Sequence, residues 1–349
     1  MPEVRIRDIV AKEGEKAAGF LDVGTTSTTI YRVPLVIFNG VKPGPTLALY
    51  GGVHGLEYAS IEAVQRVMKE VDPKRLRGTL LAVPVMNQAN FESRTAFLSP
   101  LDMQNQNRCW PGNPEGTMSY RVTHAVYTEI ASKADAQIDL HGGDLTEDIG
   151  NPGYVIVSQY GPEKADRLAM ELAECFNGEY VVLRKPVNVP RPHVSGSKAT
   201  VEERSWMGQG DRPSSTIVAR NLGIPALVVE AGTPYPVREE QIEFHHAGVI
   251  NAMKHLRMLE GVSRRTKPVV DPPIQNIICK RGGIFHSFVD WESEIKSGQV
   301  VAEVTDIFGN VLDTYEALFD GKLVFRRVYY AVNVGEPLLE ILNLGKGDS

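Results

Sequence analysis

A few short apolar runs do most to limit what this chain can become. Residues 46–50 (TLALY), 78–86 (GTLLAVPVM) and 225–230 (PALVVE) are almost continuously aliphatic, and 136–140 (AQIDL) joins them. Strands that carry apolar side chains on both faces are strands covered on both faces, the condition of a parallel sheet between helices. The segments between the runs supply those covers. Ile61, Val64, Val67, Met68 and Val71 follow helical spacing, and so do Ala165, Leu168, Ala169, Leu172, Ala173 and Phe176. Residues 119–133 and 238–259 read as further helices, and 28–39, 154–158 and 181–183 as further strands. Alternating strands and helices predict an α/β fold, a mostly parallel sheet with helices on both faces.

In such sheets ligands bind beyond the carboxyl ends of the strands. Polar residues stand at those ends here. TLALY runs into Gly51-Gly52, then His54 and Glu57; AQIDL runs into His141 and Gly142-Gly143; Asn87 follows the second run and Glu230 closes the last. Alone, His54-x-x-Glu57 is a weak signal, because a histidine near a carboxylate is more often a surface or structural pair. A second histidine at another strand end gives it weight. Zn²⁺ accepts both ligand types, and a catalytic zinc usually keeps three protein ligands and one open position. Glu230, ending the run Ala226-Leu227-Val228-Val229, would be costly to bury without a partner or a task. Residues 87–116 form a long polar stretch without a period, and 185–215 are again loop-like and long enough for a lid.

Composition narrows the classes. The 349 residues suffice for one large domain or two, and a net charge of −6 gives nucleic-acid binding no electrostatic help. No apolar run is long enough to span a bilayer, and the first ten residues lack a signal-like apolar core. Cys109, Cys175 and Cys279 are widely spaced and odd in number, against a disulfide framework and for a reducing, cytoplasmic setting. After Val262 the texture changes. Residues 263–273 suit a linker, and 282–341 break into short β-rich pieces at Gly298, Gly309, Gly321 and Gly335. We expect a catalytic domain over 1–262 and a small all-β domain over 263–349. The latter resembles a lipoyl/biotinyl-type barrel sandwich without the carrier's Met-Lys-Met or Asp-Lys-Ala hairpin, which favours a structural or pocket-completing role.

Four motifs, GGVHGLE, NQANFESRTAFLSPLDMQNQNR, DLHGGD and VVEAGT, occur in that order. Together they resemble the succinylglutamate desuccinylase/aspartoacylase family of the zinc carboxypeptidase-like fold, over residues 34–259 and the β region behind them. The resemblance implies one Zn²⁺ per chain, held by His54, Glu57 and His141, which would lower the pKa of water from ~15.7 toward ~7. It makes Glu230 the general base that takes the water proton and returns it to the leaving amine. Asn107-Arg108 becomes the pair that grips a substrate carboxylate, arginine's planar fork binding both oxygens. Arg94 becomes the group that stabilises the developing oxyanion. Asn87 and Asp102 are expected to order the loop, and Asp139 or Asp144 to orient a ligand histidine.

The implied activity is a zinc-dependent amidohydrolase acting on a small N-acylated amino acid or related amide. A metallocarboxypeptidase for short peptides and an inactive binding protein of the same fold are the alternatives. The acyl group, the amine and any homo-oligomer stay open. The chain departs from the family pattern at Asn105-Gln106-Asn107-Arg108, where many relatives read Asp-Leu-Asn-Arg; the missing acid is expected to alter which amino-acid side chain is accepted. Tyr235, Tyr315, Tyr329 and Tyr330 all qualify as a substrate-contacting tyrosine. His124, His193, His245, His246 and His286 have no assigned role, and His245-His246 are expected to face solvent or neighbouring side chains.

Overall fold

Among the described residues a twelve-stranded sheet joins strands from early in the chain to strands near its end. The computed structural model describes residues 2–185, 213–291, 293–343 and 345. The lid expected within 185–215 therefore lies almost wholly outside the described residues, as does His193. At the centre of the sheet, Ala226–Gly232, Ala136–His141, Lys42–Tyr50 and Arg77–Val83 are parallel neighbours. Antiparallel strands flank them: Ile30–Asn39 and Glu15–Thr25 on one side, Glu147–Ser158 on the other. The strand Tyr180–Arg184 pairs in parallel with Glu147–Ser158.

Both faces of the centre are covered, as the unalternating runs require. Along one strand, Leu47 and Leu49 enter a core with Ala63, Val67, Leu172 and Val249, while Ala48 and Tyr50 enter another with Val122, Val126 and Ile217. Each buried aliphatic side chain stabilises the fold by roughly 1.5–3 kcal/mol. Helices Tyr58–Glu70, Glu163–Glu174 and Glu239–His255 serve the first core, and Met118–Glu129 and Ser214–Leu222 the second. Ser214–Leu222 is absent from the sequence reading. It is short and begins with small polar residues, and its one clear signal is Gly223, a left-handed cap at φ 67°.

The residues after 262 are all β, with a core of their own built on Phe285, Val301, Val304, Tyr315, Leu338 and Ile341. Four of the strands form a separate antiparallel sheet. Ile274–Ile278, Pro337–Leu342 and Lys322–Arg327 instead extend the main sheet, the last pairing with the start of Glu147–Ser158. The stretch read as a linker contributes Val269–Val270, which pairs with Tyr180 and Val181. Among the described residues no helix is long and apolar enough to cross a membrane.

Candidate metal centre

Where Lys42–Tyr50 ends, the chain turns sharply and brings His54 and Glu57 back over the sheet. A Cβ at Gly55 would lie 2.1 Å from the Phe91 backbone nitrogen, so only glycine permits this turn against the following loop. Glu57 occupies the N-cap position of Tyr58–Glu70, yet its carboxylate caps nothing. It faces two histidines instead. His54 Nδ1 lies 2.7 Å from Glu57 Oε1, and His141 Nδ1 lies 3.0 Å from Glu57 Oε2. His141 closes the Ala136–His141 strand, and the next residue is again constrained: a Cβ at Gly142 would approach the Ala231 carbonyl oxygen to 2.3 Å. All three side chains are buried, and one donor atom of each falls within 4.8 Å of the others.

The ring orientations fit a cation. Each histidine turns Nδ1 toward Glu57 and Nε2 away from it. His54 Nε2 lies 3.1 Å from Asn105 Oδ1, and His141 Nε2 lies 3.4 Å from Asp139 Oδ1. Asn105 Oδ1 also accepts the Asn107 N–H at 2.9 Å, which identifies it as the oxygen. His54 must then donate from Nε2, so Nδ1, which faces Glu57, is the nitrogen that would give up its proton and ligate a cation. Glu57 Oε2 is buried and makes no well-directed hydrogen bond among the described residues, an orphan acceptor of the kind a metal would satisfy. Burial alone would raise Glu57, but the imidazolium charges of His141 and His54 outweigh it and hold the carboxyl down to about 2. The site therefore concentrates negative charge between two nitrogen donors.

Glu230 pairs directly with His141 across parallel strands, so their side chains share one face of the sheet. Although the residue keeps a solvent-facing edge, burial pushes its carboxyl up to about 7 against the pull of the His141 charge; Glu57 adds to the rise and Arg184 opposes it. Such a group exchanges a proton near neutral pH.

The loop after Asn87 is ordered by the residues expected to order it. Asn87 caps Gln88–Ser93 through the Asn90 N–H, and the Asp102 carboxylate accepts the Thr117 hydroxyl and the Ser119 N–H, both at 2.7 Å. Asp144 binds the loop too, accepting the Phe97 N–H at 3.0 Å. The Phe97 ring in turn meets His54 edge-on at 5.2 Å. Of the two acids expected to orient a ligand histidine, Asp139 faces one directly, and Asp144 acts through Phe97. Asn107 is buried, its Oδ1 accepting the Ser214 N–H at 3.3 Å, and Arg108 beside it is half-buried. Arg94 is the left-handed cap of Gln88–Ser93, exposed and without an ion pair among the described residues.

Several contacts near the triad and beyond it escaped the sequence reading. Asn105 lies against His54, so the position where an acid is missing faces one histidine of the triad. His245 is fully buried and donates from Nε2 to the Ala231 carbonyl at 2.9 Å; burial lowers its pKa to about 4. His246 is half-buried between Glu70 and Glu243. Tyr154 pairs with Glu230 across the antiparallel strands, a placement no local pattern announces. Of the four tyrosines singled out, Tyr315 is buried in the β core with its hydroxyl accepting the Lys280 N–H, and Tyr235 is 89% exposed. Glu147 is buried opposite Arg327, which arrives from the C-terminal region at 3.9 Å. Burial pushes the Glu147 carboxyl well above the ordinary range, and Arg327 only partly offsets this.

Fold and donor set together define a class: an α/β protein with one His-Glu-His cluster at the carboxyl ends of a parallel sheet centre. The chain belongs to the succinylglutamate desuccinylase/aspartoacylase family, whose catalytic-domain model matches residues 43–256. It is similar to the N-alpha-acetyl-L-2,4-diaminobutyric acid deacetylase of Halomonas elongata, 27% identical over 305 residues, covering 85% of this chain and 82% of that one. Among solved structures, a succinylglutamate desuccinylase from Silicibacter sp. TM1040 matches with a TM-score of 0.79 at 20% identity, over 97% of each chain. The product-bound ectoine utilization protein EutE (DoeB) from Ruegeria pomeroyi matches with a TM-score of 0.79 at 18% identity, over 98% of each chain.

Proposed function

We propose that this protein is a zinc-dependent amidohydrolase that releases the amine from a small N-acylated amino acid. The carrying observation is the orientation of His54 and His141, both presenting Nδ1 to Glu57 beside a glutamate in register with His141. Two imidazoles and one carboxylate suit Zn²⁺ and leave net positive charge on the site. Zn²⁺ held there would polarise the acyl carbonyl and acidify a water. Glu230 takes the proton of the attacking water on its carboxylate and passes it to the departing amine nitrogen; a pKa near 7 suits both directions of transfer. Asn107 keeps its amide NH₂ without a partner among the described residues and, with Arg108, provides donors for a substrate carboxylate. Arg94 is assigned to the oxyanion that forms on the acyl oxygen.

The Halomonas relative deacetylates an acylated diaminobutyrate, so the first substrates to offer are N-acetyl and N-succinyl amino acids, diaminobutyrate derivatives among them. The experiment pairs zinc content of the purified protein with release of free amine from that panel. About one zinc per chain and turnover abolished by a chelator are expected. Turnover of dipeptides in preference to acyl amino acids would replace this reading with a carboxypeptidase, and no zinc after reconstitution would overturn it.

A further inference from the structure

One oxygen of Asn105 serves two parts of the site. Oδ1 accepts the Asn107 N–H at 2.9 Å, which caps the turn Gln106–Arg108, and lies 3.1 Å from His54 Nε2. The first contact holds the pair assigned to a substrate carboxylate; the second holds a ligand histidine. The side chain is 7% exposed, and its Nδ2 finds no hydrogen-bond partner among the described residues. Among the described residues it is therefore the Asn105 oxygen, and not its NH₂, that makes the contacts. An aspartate would supply the same acceptor and leave no buried donor orphaned.

What an aspartate would add is charge, and the site already holds much of it. Asp139 and Glu57 act on His141, Asp144 acts on His54, and Glu230 and Glu147 lie within reach of Glu57. An anionic partner draws the Nε2 proton toward itself and makes the imidazole a stronger donor, which tightens metal binding and lowers the residual positive charge of the ion. A neutral carbonyl does less of both. The two histidines differ in this respect, since His141 faces a carboxylate and His54 an amide.

We propose that Asn105 is a positioning residue that joins ligand His54 to the Gln106–Arg108 turn and, by being uncharged, keeps the zinc site more weakly bound and more electrophilic than an acid there would. The inference rests on the His54, Glu57 and His141 triad as the zinc site. Its test is zinc affinity of wild type, Asn105→Asp and Asn105→Ala, read by competition with a chromophoric chelator, with kcat and KM measured at saturating zinc. Asn105→Ala should weaken zinc binding about 10–100-fold, the usual scale for losing such a partner. It should also raise KM for an N-acyl amino acid more than for the matching amide without a carboxylate. Asn105→Asp should tighten zinc binding by about tenfold, preserve KM and lower kcat. Equal zinc affinity in all three proteins would overturn the proposal. Should Asn105→Ala not fold, Asn105→Asp decides: unchanged affinity and kcat overturn it. A wild type that binds no zinc would sink the metal site itself, whereas a zinc-binding wild type with unmoved variants sinks only the role of Asn105.

Discussion

Glu57 and Glu340 are both largely enclosed carboxylates, one at the carboxyl end of the parallel centre of the sheet and one in its C-terminal extension, and their surroundings are opposite. Glu57 lies between two imidazoles, whose charges prevail over burial and hold it down to about 2. The Glu340 carboxylate makes no hydrogen bond or ion pair among the described residues, and burial pushes it up to about 7. Glu147 falls between them, with one long contact to Arg327. Burial of an acid is therefore common to both regions and marks neither. Convergence of unlike donors on one point distinguishes the first region, and it is the part that calls for a cation.

The largest effect is expected at the triad. His141→Ala should abolish zinc binding and turnover together, read by metal content and amine release; retention of either would remove the distinction. Glu230→Gln should keep the metal while kcat falls by about 10²–10⁴, the usual contribution of a general base. Wild-type-like turnover there would return Glu230 to the status of an ordinary buried acid. Where Lys322–Arg327 pairs with the start of Glu147–Ser158, removing a partner should act on stability instead. Arg327→Met leaves Glu147 buried without its counter-charge and also removes the donors that bind the Pro337 and Thr146 carbonyls. Urea unfolding should show a loss of about 3 kcal/mol, with the metal content of the folded protein retained.

The smallest effect belongs to Glu340, and its sign is fixed. The folded-state pKa near 7 lies above the ordinary carboxylate value, so the native protein holds a proton that the unfolded chain releases. Its unfavourable contribution is absent at pH 4, grows through the interval up to about 7, and is complete above it. Glu340→Gln should therefore stabilise the protein at pH 8 by about 1–2 kcal/mol, a figure that allows for partial exposure, and should do nothing at pH 4. A mutant less stable than wild type at pH 8 would mean that Glu340 has a partner after all.

Much of the catalytic half is legible in the sequence because its signals are local. Apolar runs give the parallel strands, helical spacing gives Tyr58–Glu70 and Glu163–Glu174, and strand ends give His54, His141 and Glu230. The rest depends on pairing between distant segments. That Tyr154 stands beside Glu230, that Glu147 faces Arg327, and that Asn105 reaches His54 are facts of register and loop path. Three C-terminal strands joining the main sheet are of the same kind. Short polar sequences also hide structure, as Ser214–Leu222 does, because Ser and Thr favour caps and turns as readily as helix.

The strand Glu147–Ser158 has neighbours that arrive at different times. Its later residues are flanked by Tyr180–Arg184 and Ala226–Gly232, but residues Glu147, Asp148 and Ile149 meet Lys322–Arg327 on one side. During synthesis the histidines, Glu57 and Glu230 have all left the ribosome while that edge still lacks its partner. An unpaired strand edge is a template for association with other chains. Until residue 327 emerges this edge stays unpaired, and a chain truncated before that point would carry His54, Glu57, His141 and an adhesive flank.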